Sequence, residues 1–283
     1  MKRHHNAADG ILLMLGASLA FSLMVAATKF ISKTMSVGEI IFVRSFFGLI
    51  AIAFLIHKNK ISWIGKEPKI LIARGIVGFI SLALYFWCIS QIDLGTAVML
   101  NYTGPIFAVI IAHLLFREKT TMIVKAAVAF AFVGVYLLTA PQLHVNLVPL
   151  MVGLLSGVLL GMVHVLIRYS HEEEDSLTII FYFMVTATIG SGLMLFRSGL
   201  HMPSSYDWLG LAVLVVTSLF GQLAITYSLR TAPVSVVSPF SYITPVISVF
   251  LGWWIWREAL PTMSLVGSGL IILCGMIMYK YQT

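Results

Sequence analysis

Ten stretches of the chain are apolar almost without interruption, near 11–31, 37–57, 69–91, 93–116, 121–139, 147–168, 176–196, 206–230, 233–256 and 262–280. Each suits a helix crossing a hydrocarbon layer of about 30 Å, for which roughly 17–25 residues suffice. The polar residues between them make short connections, none able to fold as a water-soluble domain. A helix satisfies its own backbone in lipid, so helices are the elements these stretches predict. The fold class expected is an all-α integral membrane protein with ten transmembrane helices. The basic start MKRHHNAADG resembles that of a secretion signal. The run ILLMLGASLAFSLMVAATKF that follows is long enough to span, and predicts a retained first helix.

The fourth and ninth stretches are interrupted in the same way. LNYTGPIFAVIIAHLLFRE (100–118) and PFSYITPVISVFLGWWIWRE (239–258) share Tyr102/Tyr242, Pro105/Pro245, Val109/Val249, Arg117/Arg257 and Glu118/Glu258. Further along, VGVYLL (133–138) answers CGMIMY (274–279), and near the start of each half LMLG (13–16) answers LMVG (150–153). Internal similarity of this reach predicts two five-helix repeats, 1–142 and 143–283. Five is odd, so the second repeat crosses the bilayer in the opposite sense. Inverted repeats are the signature of secondary transporters, whose substrate site lies near the midplane where the repeats meet.

The two prolines sharpen this expectation. Pro105 and Pro245 lack an N–H, so the carbonyls of Asn101 and Ser241 lose their helical partners. In hydrocarbon such groups need protein, water or a ligand. The faces concerned are small or polar: Ser235, Ser238, Ser241, Tyr242, Pro245, Ser248 and Gly252 on the ninth stretch, and Gly95, Val98, Asn101, Tyr102, Pro105, Ala108 and Ala112 on the fourth. Two readings compete. Either the prolines are hinges on faces lining a wet interior, or they are packing kinks satisfied by neighbouring Ser and Thr hydroxyls.

Composition agrees with a membrane setting. The 283 residues are 59% hydrophobic and 10% charged, against about 25% charged in a soluble domain, so the surplus apolar surface faces lipid. The net charge of +7 is spread over short connections and shows no aromatic-interleaved groove; a nucleic-acid partner is not expected. It reads instead as topology. With the N-terminus inside, Lys2, Arg3, Lys58, Lys60, Lys66, Lys69, Arg74, Arg117, Lys119, Lys125, Arg168, Arg230 and Lys280 are cytoplasmic, against Lys29, Lys33, Arg197 and Arg257 outside. Both termini are then cytoplasmic, in a multi-pass protein of the cell inner membrane. The acidic HEEED (171–175) reads as a solvated loop. Cys88 and Cys274 have no Cys or His at ligand spacing and read as packing residues. Neither a metal nor a cofactor is expected.

The ten helices in two inverted fives, the R-x-x-x-G of the second stretch (Arg44, Gly48), and the closing segments NYTGPIFAVIIAHLLFRE and SYITPVISVFLGWWIWRE resemble the drug/metabolite transporter superfamily, and within it the EamA-type transporters. The resemblance covers essentially the whole chain. It implies a basket-like cavity lined by helices 1, 3, 4, 6, 8 and 9, with helices 5 and 10 peripheral and open to homodimer formation. On that implication helix 3 offers Tyr85 and Trp87, and helix 8 offers Gln222 and Tyr227. One departure is notable: the second repeat has Phe183 at the position equivalent to Arg44, so the arginine has no symmetric counterpart.

The substrate-binding candidates are therefore Arg44, Tyr85, Trp87, Asn101, Tyr102, His164, Gln222, Tyr227, Ser238, Ser241 and Tyr242, with Pro105 and Pro245 as hinges. An arginine seven residues into a span is costly unless it meets water or a partner. Arg44 either recruits a carboxylate or phosphate through its planar fork, or pairs with Glu39 or a helix-end carbonyl. Lys29 reads as snorkelling. His164 is a proton relay or a hydrogen-bonded packing residue. Gly153, Gly157 and Gly161 form a doubled G-x-x-x-G that predicts close helix contact. Trp253, Trp254 and Trp256 read as an interfacial belt.

No H-E-x-x-H or G-x-S-x-G occurs, which ranks an intramembrane enzyme low. The function expected is alternating-access transport of a small organic metabolite, an amino acid or amino-acid-derived compound. Export of lipophilic drugs or lipids is the alternative.

Overall fold

The computed structural model describes residues 7–116, 121–139, 147–170, 174–198, 203–231, 237–259 and 261–281. In chain order its helices are α1 (Ala7–Ile31), α2 (Val37–Asn59), α3 (Pro68–Gln91), α4 (Leu94–Asn101), α5 (Gly104–Phe116), α6 (Met122–Thr139), α7 (Leu147–Ser170), α8 (Ser176–Ser198), α9 (Ser205–Thr231), α10 (Ile243–Trp256) and α11 (Thr262–Tyr281), with a 3-10 turn at Ser238–Tyr242. Eight spans are long and apolar enough to cross a membrane, and two shorter apolar helices, Phe240–Trp256 and Thr262–Met278, complete the expected ten. Arg117, Glu118 and Ser235, and the side chain of Ser238, lie outside the described residues.

Local chemistry sets the ends. Ser36 opens α2 with a capping box, its N–H donating to Glu39 Oε2 at 2.7 Å while its Oγ accepts from the Glu39 N–H. Pro68 occupies the first turn of α3, where a missing N–H costs nothing. The connection between α2 and α3 is clamped onto α8: the Glu67 N–H donates to Glu174 at 2.6 Å, Thr178 to the Ser62 carbonyl, and Tyr182 to the Ile64 carbonyl. Glu174 is consequently buried. The solvated-loop reading of the acidic segment fails at that residue, because its carboxylate collects the backbone donors of a facing turn.

Packing draws one helix from each half of the chain in almost every major pair: α1 with α9, α2 with α8, α3 with α7, α4 with α10, α5 with α7 and α6 with α11. The innermost element is α4, all of whose residues are buried.

The fourth stretch is not one helix. It breaks at Tyr102–Thr103, just ahead of Pro105, and α7 lies against the break. A Cβ placed on Gly153 would come within 2.7 Å of Cys88 Sγ, one on Gly157 within 2.6 Å of the Leu100 carbonyl oxygen, and one on Gly161 within 2.8 Å of the Gly104 carbonyl oxygen. The doubled G-x-x-x-G is thus a bare strip on which broken backbone rests, as close helix contact in a membrane requires. Hydroxyls serve the carbonyls around both breaks. Thr103 donates to the Leu100 carbonyl at 2.6 Å, while Ser18 and Ser22 of α1 donate to the carbonyls of Phe240 and Thr244 at 3.1 and 3.2 Å. The carbonyls served are those of Leu100, Phe240 and Thr244, neighbours of the Asn101 and Ser241 carbonyls that the prolines free.

Candidate functional site

The helix-packing pattern converges on α8. Phe183 sits two turns into that helix, and two buried arginines lie over its ring. Arg44 of α2 has its guanidinium carbon 5.8 Å from the ring centroid, and Arg74 of α3 has its own at 4.8 Å. The arginines are 3% and 6% exposed. In both, Nε and Nη1 have no hydrogen-bond partner among the described residues. Placing an arginine mid-span costs about 2.5–3.5 kcal/mol on insertion scales; a ring face returns roughly 0.5–2 kcal/mol of that and supplies no acceptor for the N–H groups.

The backbone is shaped for this meeting. Gly48 follows Arg44 by one turn and would put a Cβ 2.8 Å from Met184 Sδ; Gly78 follows Arg74 by one turn and would put one 3.2 Å from the Phe183 ring. Each glycine lets α8 approach the helix that carries the arginine. Glu39 engages the Ser36 N–H at its own helix start.

Arg74, a basic residue in the first turns of α3, is buried. The available signal was the R-x-x-x-G of Arg44–Gly48, which recurs at Arg74–Gly78. From Arg74 one face of α3 runs through Gly78, Ser81 and Tyr85 to Cys88, all buried. Ser81 donates to the Ser156 carbonyl at 2.9 Å. His164 lies on the α7 face that carries the glycines, one turn beyond Gly161.

The other candidates fall into two groups. Tyr102 and Tyr242 meet with ring centroids 6.0 Å apart, and Tyr85 lies near Tyr102. Asn101 is tied to Ser156, its Nδ2 donating to Oγ at 3.1 Å. Asn101 thus joins α4 to α7, and the Tyr102–Tyr242 pair joins the break after α4 to the 3-10 turn. Pro245 is buried, and Pro105 and Ser241 are half-buried. Trp87 and Gln222 are half-buried and Tyr227 is half-exposed. An open groove of about 270 Å³ lies between α5 and α6, lined by Val109, Ile110, His113, Leu114, Val124, Lys125 and Val128.

At the end of the bundle where α1 stops and α4 begins, sequence reasoning missed a tie. Lys29 forms an ion pair with Glu258 and donates to the Ile92 carbonyl at 2.9 Å. Glu258 accepts the Leu94 N–H at 2.9 Å, and Trp256 turns in beneath Lys29, 5.7 Å from ring centroid to Nζ. Trp253 and Trp254 remain exposed as a belt would be; Trp256 does not. Both charges are largely buried, so removing one partner strands the other. Glu258→Gln is expected to lower the melting temperature more than Lys29→Met with Glu258→Gln together. A double-mutant cycle should give a coupling on the order of 1–3 kcal/mol, and additive losses would show that the tie contributes nothing.

Ten spans, paired across two halves around a buried polar centre, define a membrane transporter. The chain belongs to the EamA-like transporter family, whose model matches it twice, at residues 8–140 and 147–279. It is 28% identical over 265 residues to a pseudopaline exporter of Pseudomonas aeruginosa, with 93% of each chain covered. It is 27% identical to an uncharacterized transporter of Helicobacter pylori, covering 95% of this chain and 93% of the relative. An S-adenosylmethionine uptake transporter of Rickettsia prowazekii is 20% identical over 97% of this chain and 93% of its own. A crystal structure with a TM-score of 0.65 and 15% identity shares the fold over 95% of this chain and 96% of its own.

Proposed function

We propose that the protein is an alternating-access transporter for a small amino-acid-derived metabolite bearing an acidic group. The single observation carrying this reading is Arg44, a buried guanidinium whose Nε and Nη1 are unsatisfied among the described residues. A cation held in lipid at that cost is retained for what it binds, and its planar fork matches a carboxylate. Relatives named for pseudopaline export and S-adenosylmethionine uptake support a small organic cargo. The tyrosines at 85, 102 and 242 offer a stacking wall for its apolar part. The twofold family match supports two repeats, 1–142 and 143–283, rocking about this centre. The Lys29–Glu258 tie then acts as a latch on one side of the membrane.

The test is a thermal-shift screen of the purified protein followed by uptake into proteoliposomes. N-acyl amino acids and free amino acids should stabilise it and be transported, and their amides, lacking the acid, should do neither. The groove between α5 and α6, mostly apolar at its walls, favours a lipophilic cargo as second reading. Stabilisation by lipophilic cations and by none of the acids would move the assignment there.

A further inference from the structure

We infer that Arg44, Arg74 and Phe183 form a two-point site for a small organic acid with two carboxylates. The inference rests on the acidic-metabolite reading above and names its substrate class. Two guanidiniums reach one ring from different helices, one from α2 and one from α3, and each leaves donors without an acceptor. Phe183 meets both cations on its π surface and accepts from neither fork. A monoacid balances one of these charges and leaves the other buried and uncompensated. A diacid balances both, each carboxylate fitting one planar fork.

The arrangement is written into the backbone as well as the side chains. Gly48 and Gly78, each one turn beyond its arginine, admit α8 at distances a Cβ would obstruct. The repeated R-x-x-x-G therefore places both cations against a single residue of the facing helix.

The experiment uses the full-length purified protein and a ligand series from malonate to suberate, each diacid paired with its monoamide. Binding is read by thermal shift and by competition for uptake. In the wild type the best diacid should bind at least about tenfold more tightly than its monoamide. Arg74→Gln should bring the diacid down to the level of the monoamide, and Arg74→Lys should restore part of the difference through charge without the fork. Should Arg74→Gln fail to fold, the lysine variant carries the test alone, by a reduced diacid-to-monoamide ratio. Equal binding of diacid and monoamide in the wild type, or an unchanged ratio in the folded variants, overturns the two-point site and leaves the acidic-metabolite reading standing. Inorganic phosphate competing where no dicarboxylate does would overturn the dicarboxylate assignment. If no acid of either kind binds, both readings fall.

Discussion

Arg44→Ala is expected to abolish most transport in a protein that still folds. The guanidinium is buried and partly unsatisfied, so deleting it relieves a desolvation penalty instead of removing a structural bond. Stability should hold or rise slightly, which is the usual trade when a functional group is destabilising. Transport should fall roughly ten- to hundredfold, the loss of a charge-assisted pair of hydrogen bonds. Arg44→Lys should lie between, because an ammonium keeps the charge and loses the planar fork. Melting temperature and initial uptake rate, measured on the same preparations, decide the matter. A stable alanine variant with normal uptake would take Arg44 out of the site; an unfolded one would make it a structural cation.

Gly157→Val should damage folding more than any other single glycine change on α7. A Cβ there falls 2.6 Å from the Leu100 carbonyl oxygen, which is backbone and has nowhere to turn. Overpacking of this kind costs about 1–3 kcal/mol, and the valine branch adds to it. Gly269, with nothing within 4 Å of its would-be Cβ, is the control. Gly269→Ala should be neutral or mildly stabilising, since alanine is the better helix former. The comparison is read by melting temperature and by monodispersity after extraction. Equal tolerance at both positions would mean that α7 has room to withdraw from the break.

The positions of these effects were unequally visible in the chain itself. The spans, the interruptions at Pro105 and Pro245 and the glycine strip follow from local pattern, because lipid forces apolar length and small contact faces to appear in contiguous sequence. Arg44 stood out for the same reason: a charge mid-span breaks the pattern. Arg74 did not, since a basic residue near a helix start looks like any other topology marker. Its burial depends on a ring more than a hundred residues away, although the repeated R-x-x-x-G held the hint. The Lys29–Glu258 tie joins residues 229 apart, and both lie near span ends where charges are ordinary. Glu174 was hidden for the opposite reason: acidic neighbours made it look solvated. Tyr102 and Tyr242, matched in sequence by the internal repeat, meet in space, whereas Tyr85, Trp87, Gln222 and Tyr227 came from the family resemblance alone.

The glycine contacts also grade the bundle by stiffness. Along α7 the neighbours met by a would-be Cβ include carbonyl oxygens and amide nitrogens, and at α6–α11 Gly134 faces the Gly267 carbonyl oxygen at 3.0 Å. Such seams are hard, because peptide planes cannot deform. Between α2 and α8 the neighbour of Gly48 is Met184 Sδ, the far part of a thioether chain whose several rotatable bonds yield to pressure. The give in this bundle is therefore local to Gly48, one turn from Arg44, where the facing group is a flexible side chain and not a peptide plane.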